Sequence, residues 1–392
     1  MDKRTWAEID LNAIEHNIRE IRRITDKNSK IMAVVKADAY GHGVLNVADT
    51  LLKNGADMLG VADMDEAVEL RMNGFSADIL ILGYCEQSRI GDGVQFGITM
   101  TVCSFEFAQL ISDASVKAGK TAKIHIKIDT GMSRIGFYYQ EHGSAIEEIK
   151  KIFGLPNLFI EGIFTHFAAS DENDKSYTNR QFELFCEICD RLKKEGCPIP
   201  VRHCSNSGAI IDCPQMHLDM VRAGIILYGY YPSDEVNQER LSLIPAMTLK
   251  STVVQVKEVE KGAGISYGKT VVAEHPMRIA TIPVGYADGY PRALSSKGLV
   301  EIDGKIAQIT GRVCMDQCMI DISSLPQVKR GDQVTLFGRG KVTADTIAKI
   351  RGTIHYEVLC DVKRRVPRVY IRNGKIVDEI NYICNVNQTN GI

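Results

Sequence analysis

No run of 18 apolar residues occurs anywhere in the chain, so a membrane-crossing helix is not expected. Neither sign of charge dominates. The 47 lysines and arginines against 49 acidic residues leave a net charge of −2, too weak a field to point to nucleic acid or an anionic membrane. The opening "MDKRTWAEID" is not followed by a signal-peptide core, so the expected compartment is the cytoplasm. Cysteine is present eleven times, an odd number in a large chain with no visible export signal, and reduced thiols are the expectation. The closest pairs, "CEIC" (Cys186, Cys189) and "CMDQC" (Cys314, Cys318), lack the further ligands a zinc site needs, and no metal is expected.

What is there is an ordinary globular composition, 45% hydrophobic and 24% charged, in 392 residues, which is enough for two domains. "LNAIEHNIREIRRI" sets Ile14, Ile18 and Ile21 at helical spacing, with Asn12 as its expected cap. Eight short apolar runs follow: "KIMAVVK", "DMLGVAD", "ADILILG", "ITMTVCS", "AKIHIKID", "FIEGIFTH", "VRHCSNS" and "HLDMVRAG". Most precede an amphipathic stretch. Apolar runs alternating with helices predict parallel strands buried on both faces. Eight of them favour a (β/α)8 TIM-type barrel over an open sheet, although the last two are weak strands.

Across residues 233–246 the character changes to alternating β segments joined by glycine turns. The expected fold is therefore α/β, with an N-terminal barrel over residues 1–240 and a mainly β domain over 241–392. The strand "RTWAEID" precedes the first barrel helix and is expected to pair with the second domain.

Barrel enzymes carry their chemistry at the C-terminal strand ends. Lys36, Arg134, His166, Ser207 and Arg222 all fall at or just after such ends. A strand-end lysine ordinarily snorkels to solvent. When desolvated, its amine can attack a carbonyl and form a Schiff base, the chemistry aldehyde cofactors require. "HCSNSGAI" and "RAGIILYG" follow the seventh and eighth strands, where this fold usually holds a phosphate.

"VVKADAYGHG", "TGMSRIG", "THFA", "NSGA", "RAGIILYG", "ISYGKT", "VGYADGYPR" and "GRVCMDQ", in that order, resemble the alanine racemase family. The match extends from "TWAEIDL" to "HYEVLCDVKRRVPRVY". The resemblance implies racemisation of L- and D-alanine by two bases with pyridoxal 5'-phosphate, supplying D-alanine for peptidoglycan. It also implies a homodimer whose active sites are shared between subunits. Lys36 would bind the cofactor and serve the D-alanine face, and Tyr267 from the other subunit would serve the L-alanine face. Tyr40, Ser207, Gly224, Ile225 and Tyr356 would surround the phosphate. Arg222 would face the pyridine nitrogen, backed by His166, while Arg134, Met315 and Asp316 would line the substrate. Lys127 matches a lysine carbamylated in some members. Tyr286, Arg292 and Asp171 resemble residues of the entry path.

Two positions depart from the commoner pattern. Ser133 stands where glycine is frequent, and Lys269 where arginine is usual. A serine or broad-specificity racemase on the same scaffold would differ only in its pocket. A decarboxylase of the related barrel class would place an acid, not Arg222, opposite the ring nitrogen, and a barrel-only cofactor carrier would lack residues 240–392.

Overall fold

The computed structural model describes residues 3–139 and 145–384. They form two compact units, one comprising residues 14–39, 44–139 and 145–243, the other residues 3–13, 40–43 and 244–384. Strand β1 (Thr5–Asp10) belongs to the latter. It leads into a helix, Leu11–Ile24, whose first free N–H groups are taken by the Asp10 carboxylate, at 2.8 Å from Asn12 N and 3.2 Å from Ala13 N. The cap is thus Asp10 rather than Asn12, because Asn12 already lies inside the first turn.

In the larger unit the strands are β2 (Lys30–Val34), β3 (Met58–Val61), β4 (Asp78–Ile81), β5 (Thr99–Val102), β6 (Ala122–Asp129), the two-residue β7 (Phe137–Tyr138), β8 (Leu158–Phe164), β9 (Val201–His203) and β10 (Met220–Ala223). Apart from β7, which pairs beside β6, they run parallel in the order β10-β2-β3-β4-β5-β6-β8-β9. Backbone hydrogen bonds from Asp219 N to Arg202 O (3.1 Å) and Arg222 N to Ser205 O (3.0 Å) bring β9 and β10 together and nearly close the ring. All eight expected runs are strands of this barrel. The seventh and eighth are weak in sequence because β9 and β10 are only three and four residues long.

Met32, Met58, Leu80 and Met220 meet in one buried cluster flanked by Leu82 and Val201. Each buried side chain of this size contributes about 1.5–3 kcal/mol. The outer helices are punctuated as their sequences demand. Phe105–Ala118, for example, starts at Ser104, whose hydroxyl accepts from Phe107 N, and ends at the left-handed Gly119.

The smaller unit is a ten-stranded sheet with two short helices, Ala344–Arg351 and His355–Cys360. Its strands are β11 (Met247–Thr252), β12 (Gln255–Val259), β15 (Met277–Ile282), β16 (Leu299–Ile302), β17 (Lys305–Thr310), β18 (Cys318–Asp321), β19 (Gln333–Phe337), β20 (Arg368–Arg372) and β21 (Lys375–Ile380), together with β1. A separate ribbon pairs β13 (Gly264–Ile265) with β14 (Val271–Val272). β1 lies between β11, to which it is antiparallel, and β20, to which it is parallel. None of the eleven cysteines forms a disulfide. Among the described residues, no helix is long and apolar enough to cross a membrane.

Candidate active site

Lys36 follows β2, and the chain then does something unusual. Ala37, Asp38 and Ala39 all adopt left-handed helical angles, with φ of 53–54° and ψ of 48–53°, and Tyr40 continues with φ of 52°. Each such L-residue costs about 1–2 kcal/mol, so the turn must be held from outside. Glu66 supplies one restraint, its carboxylate accepting from Ala37 N (2.6 Å) and Ala62 N (2.8 Å). Asp38 supplies another by accepting from Val44 N at 2.8 Å, and Val35 O accepts from Ala39 N at 2.8 Å. Burial raises the pKa of Glu66.

Arg222, on β10, is buried. One terminal nitrogen, Nη2, donates to Thr165 O (2.8 Å), Cys204 O (2.9 Å) and His166 Nδ1 (3.1 Å), while Nη1 donates to His203 Nδ1 at 3.0 Å. These four acceptors are all neutral, and the Nε–H is used by none of these bonds. Burial lowers the guanidinium pKa to about 10, with the charge of Arg134 adding to the effect. The same burial, then Arg222 itself, pushes His166 and His203 well below the ordinary imidazole range, so both rings are neutral.

Lys127 is also buried; its Nζ donates to Ile128 O at 2.7 Å and lies 5.5 Å from the centre of the Phe164 ring. Desolvation, with Arg222 next, brings its pKa down to about 8. Arg134 is exposed on the loop after β6. The buried Asp129 ties that loop down by accepting from Gly131 N (2.9 Å) and Ser133 N (3.0 Å). Ser133 adopts φ of 56°, the region glycine prefers, which gives its departure from the family pattern a physical meaning. Ser207 is buried after β9 and its hydroxyl accepts from Gly224 N at 3.2 Å, leaving its own proton to donate. Ile225 starts the short helical turn that follows Gly224.

The remaining expected residues lie in the smaller unit. Tyr40 and Tyr356 face one another there with ring centres 6.2 Å apart. Tyr267 sits at the tip of the β13–β14 ribbon after Ser266 (φ 64°) and is 70% exposed. It shares a depression with Cys314, Met315, Asp316 and Gln317, in which Met315 is also exposed. Asp316 is held by Arg365 at 2.9 Å, and the same arginine reaches the buried Asp288 at 3.0 Å. The structure therefore brings Lys36, Lys127, Arg134, His166, Ser207, Arg222, Gly224 and Ile225 into the barrel unit, and places Tyr40, Tyr267, Met315, Asp316 and Tyr356 in the other.

Sequence reasoning missed Glu66 and Gln181. Gln181, buried on the helix Ser176–Lys194, clamps the His166 loop by donating to His166 O (3.1 Å) and accepting from Ala168 N (2.9 Å). Its signal was a glutamine at helical spacing from Leu184, Phe185 and Ile188 on the face that the helix buries.

Residues 9–232 match the family model described as "Alanine racemase, N-terminal domain", and residues 246–370 match "Alanine racemase, C-terminal domain". The chain is 51% identical to the alanine racemase of Clostridium tetani over 382 residues, 96% of this chain and 98% of the relative. It is 50% identical to that of Methanococcus maripaludis over 93% of this chain and 98% of the relative. Among solved structures, alanine racemase from Clostridium difficile aligns with a TM-score of 0.95 at 46% identity, covering 98% and 100% of the two chains. Alanine racemase from Bacillus anthracis with bound L-Ala-P aligns with a TM-score of 0.91 at 38% identity, covering 98% and 99%.

Proposed function

The chain belongs to the alanine racemase family and interconverts L- and D-alanine with pyridoxal 5'-phosphate; from that premise we propose how its own residues divide the work. The donor set fits the cofactor. Lys36 offers an amine at a strand end, the Ser207 hydroxyl and the Ile225 N–H that follows Gly224 offer donors suited to a phosphate, and Tyr40 and Tyr356 would complete that end. When bound, the cofactor withdraws electrons and stabilises negative charge at the substrate α-carbon.

The observation that carries this division is Arg222. It is a buried cation whose four hydrogen-bond acceptors among the described residues are neutral, with an Nε–H that none of those bonds uses. An arginine can only donate, so it would hold the ring nitrogen as an unprotonated acceptor. A decarboxylase-type acid at this position is excluded by the residue itself.

Racemisation removes a proton from one face and returns one to the other, which calls for two acid/base groups. Lys36 serves the D-alanine face and Tyr267 the L-alanine face, while Arg134, Met315 and Asp316 position the substrate. Tyr267 and Met315 are too exposed to be the floor of a finished pocket, which supports their insertion into a second copy of the chain and hence a homodimer. Eleven cysteines with no disulfide among them support a cytoplasmic location. The D-alanine formed would supply peptidoglycan.

Turnover measured in both directions against a panel of L- and D-amino acids tests the assignment. Tyr267→Phe should abolish racemisation while the protein keeps the visible absorbance of bound cofactor. Full activity in that variant would remove Tyr267 from the mechanism, and comparable turnover of serine would favour the broad-specificity reading.

A further inference from the structure

A line of hydrogen bonds leads from Arg222 through the barrel, away from the rim. Arg222 Nη1 meets His203 Nδ1 at 3.0 Å, His203 Nε2 meets His125 Nδ1 at 2.9 Å, and His125 Nε2 meets the Glu161 carboxylate at 3.2 Å. Four different strands, β10, β9, β6 and β8, each contribute one member. Glu161 is also paired with Lys123 at 2.9 Å.

The chemistry of the donors orders this line completely. A guanidinium has no acceptor, so His203 Nδ1 must be bare. A neutral imidazole carries one N–H, so His203 bears it on Nε2 and donates to His125. His125 Nδ1 must then be bare as well, which leaves its proton on Nε2, pointing at Glu161. The same logic excludes a protonated His125, because its Nδ1–H would face the N–H of His203. Burial agrees, holding His125 below the ordinary imidazole range. Every donor therefore points the same way, from guanidinium to carboxylate.

The surroundings are shaped for this line. A Cβ at residue 162 would lie 2.5–2.8 Å from three atoms of the His125 ring, so Gly162 on β8 is what admits the imidazole. The β6–β8 register also shifts between Ile124 and His125. Phe164 stacks on His203 with ring centres 4.7 Å apart and planes 7° from parallel. Rings fixed in this way cannot rotate to rescue a lost partner.

We propose that Glu161 is a positioning residue for the racemisation site, its carboxylate fixing the tautomers of His125 and His203 so that Arg222 always meets a bare nitrogen. The proposal rests on the assignment of Arg222 to the cofactor ring. Without an acceptor at position 161, the buried His125 Nε2–H is orphaned and the ring favours the other tautomer. His203 must then switch too, its Nδ1–H opposes the Arg222 N–H, and the guanidinium loses one of its four bonds.

Histidine-specific 15N NMR of the cofactor-loaded enzyme tests this directly. In the wild type, both His125 and His203 should show a bare Nδ1 and a protonated Nε2. A proton on Nδ1 of His203 there overturns the proposal without any variant. Glu161→Leu should switch both rings and lower kcat about tenfold, with KM moving less than about threefold. Glu161→Gln, whose amide oxygen can still accept from His125, should keep the wild-type tautomers and most of the turnover. Lys123→Met should change neither.

Unchanged tautomers in Glu161→Leu, or switched tautomers with unchanged kcat, would reject the positioning role. So would a Glu161→Leu variant that loses only stability. The assignments of Lys36 and Tyr267 stand or fall separately, on racemisation by their own variants.

Discussion

Arg222 donates to His166 Nδ1 at 3.1 Å, and this contact forces the only proton of the neutral His166 ring onto Nε2, facing away from the guanidinium. The imidazole is thereby a one-way element, accepting from the cation and donating outward. Loss of Arg222 removes the contact that fixes this tautomer, whereas loss of His166 leaves both Nη2 protons on the Thr165 and Cys204 carbonyls.

Among the described residues no carboxylate pairs with Arg222, and this has a measurable consequence. Arg222→Glu supplies an acid that can protonate the ring nitrogen and make the cofactor a stronger electron sink. Racemisation should fall, while pyruvate formed from alanine by transamination rises at least about tenfold. No rise in pyruvate would separate Arg222 from control of the reaction type.

If Tyr267 serves the neighbouring subunit, two inactive variants should complement one another. Lys36→Ala and Tyr267→Phe chains, unfolded and refolded together, form mixed dimers in which one of the two sites carries neither change. Random pairing restores about a quarter of wild-type activity, checked by an alanine-to-D-alanine coupled assay. Zero recovery, with mixed dimers verified by mass, would place both residues in the same subunit's site.

Lys127 gives a pH signature. Its folded-state pKa is about 8 against the usual 10.5. Between these values the unfolded chain holds more protons, so stability rises with pH across that window. The gain is on the order of 3 kcal/mol. In carbon-dioxide-free buffer, denaturant titrations should show the rise in wild type and its absence in Lys127→Met. The same lowered pKa leaves free amine near pH 8, so 13C-bicarbonate should give a carbamate resonance that Lys127→Met lacks.

Ser133, at φ of 56°, occupies a backbone state that favours glycine. Ser133→Gly relieves about 1–2 kcal/mol of local strain and returns part of it through the greater freedom of the unfolded chain. A net stabilisation of about 0.5–1 kcal/mol is expected from urea denaturation. Because the Asp129 bonds to this loop use backbone N–H groups, KM for alanine should hold within about twofold.

Much of the barrel was legible because parallel strands buried on both faces leave near-continuous apolar runs, as in "IMAVV" and "DILIL". β9 and β10 were faint because three or four residues are too few to carry a period. The left-handed turn after Lys36 was invisible, since "KADAY" contains no glycine to announce it. The Glu161–His125–His203 line left a trace that sequence reasoning did not use. His125 and Lys127 alternate with isoleucine in "HIKID", and Glu161 interrupts "FIEG", so polar residues stood inside strands otherwise built for burial.

The chain alone specified its strands, its chemistry-bearing residue types and their order, because apolar period, turn residues and motifs are local properties. Folding alone joined Arg222 to His166, His203, His125 and Glu161, residues drawn from four strands and the loop after β8. Those contacts depend on the stagger between neighbouring strands, which no single strand encodes. The direction of every proton along the line then follows from one fact of side-chain chemistry, that an arginine donates and cannot accept.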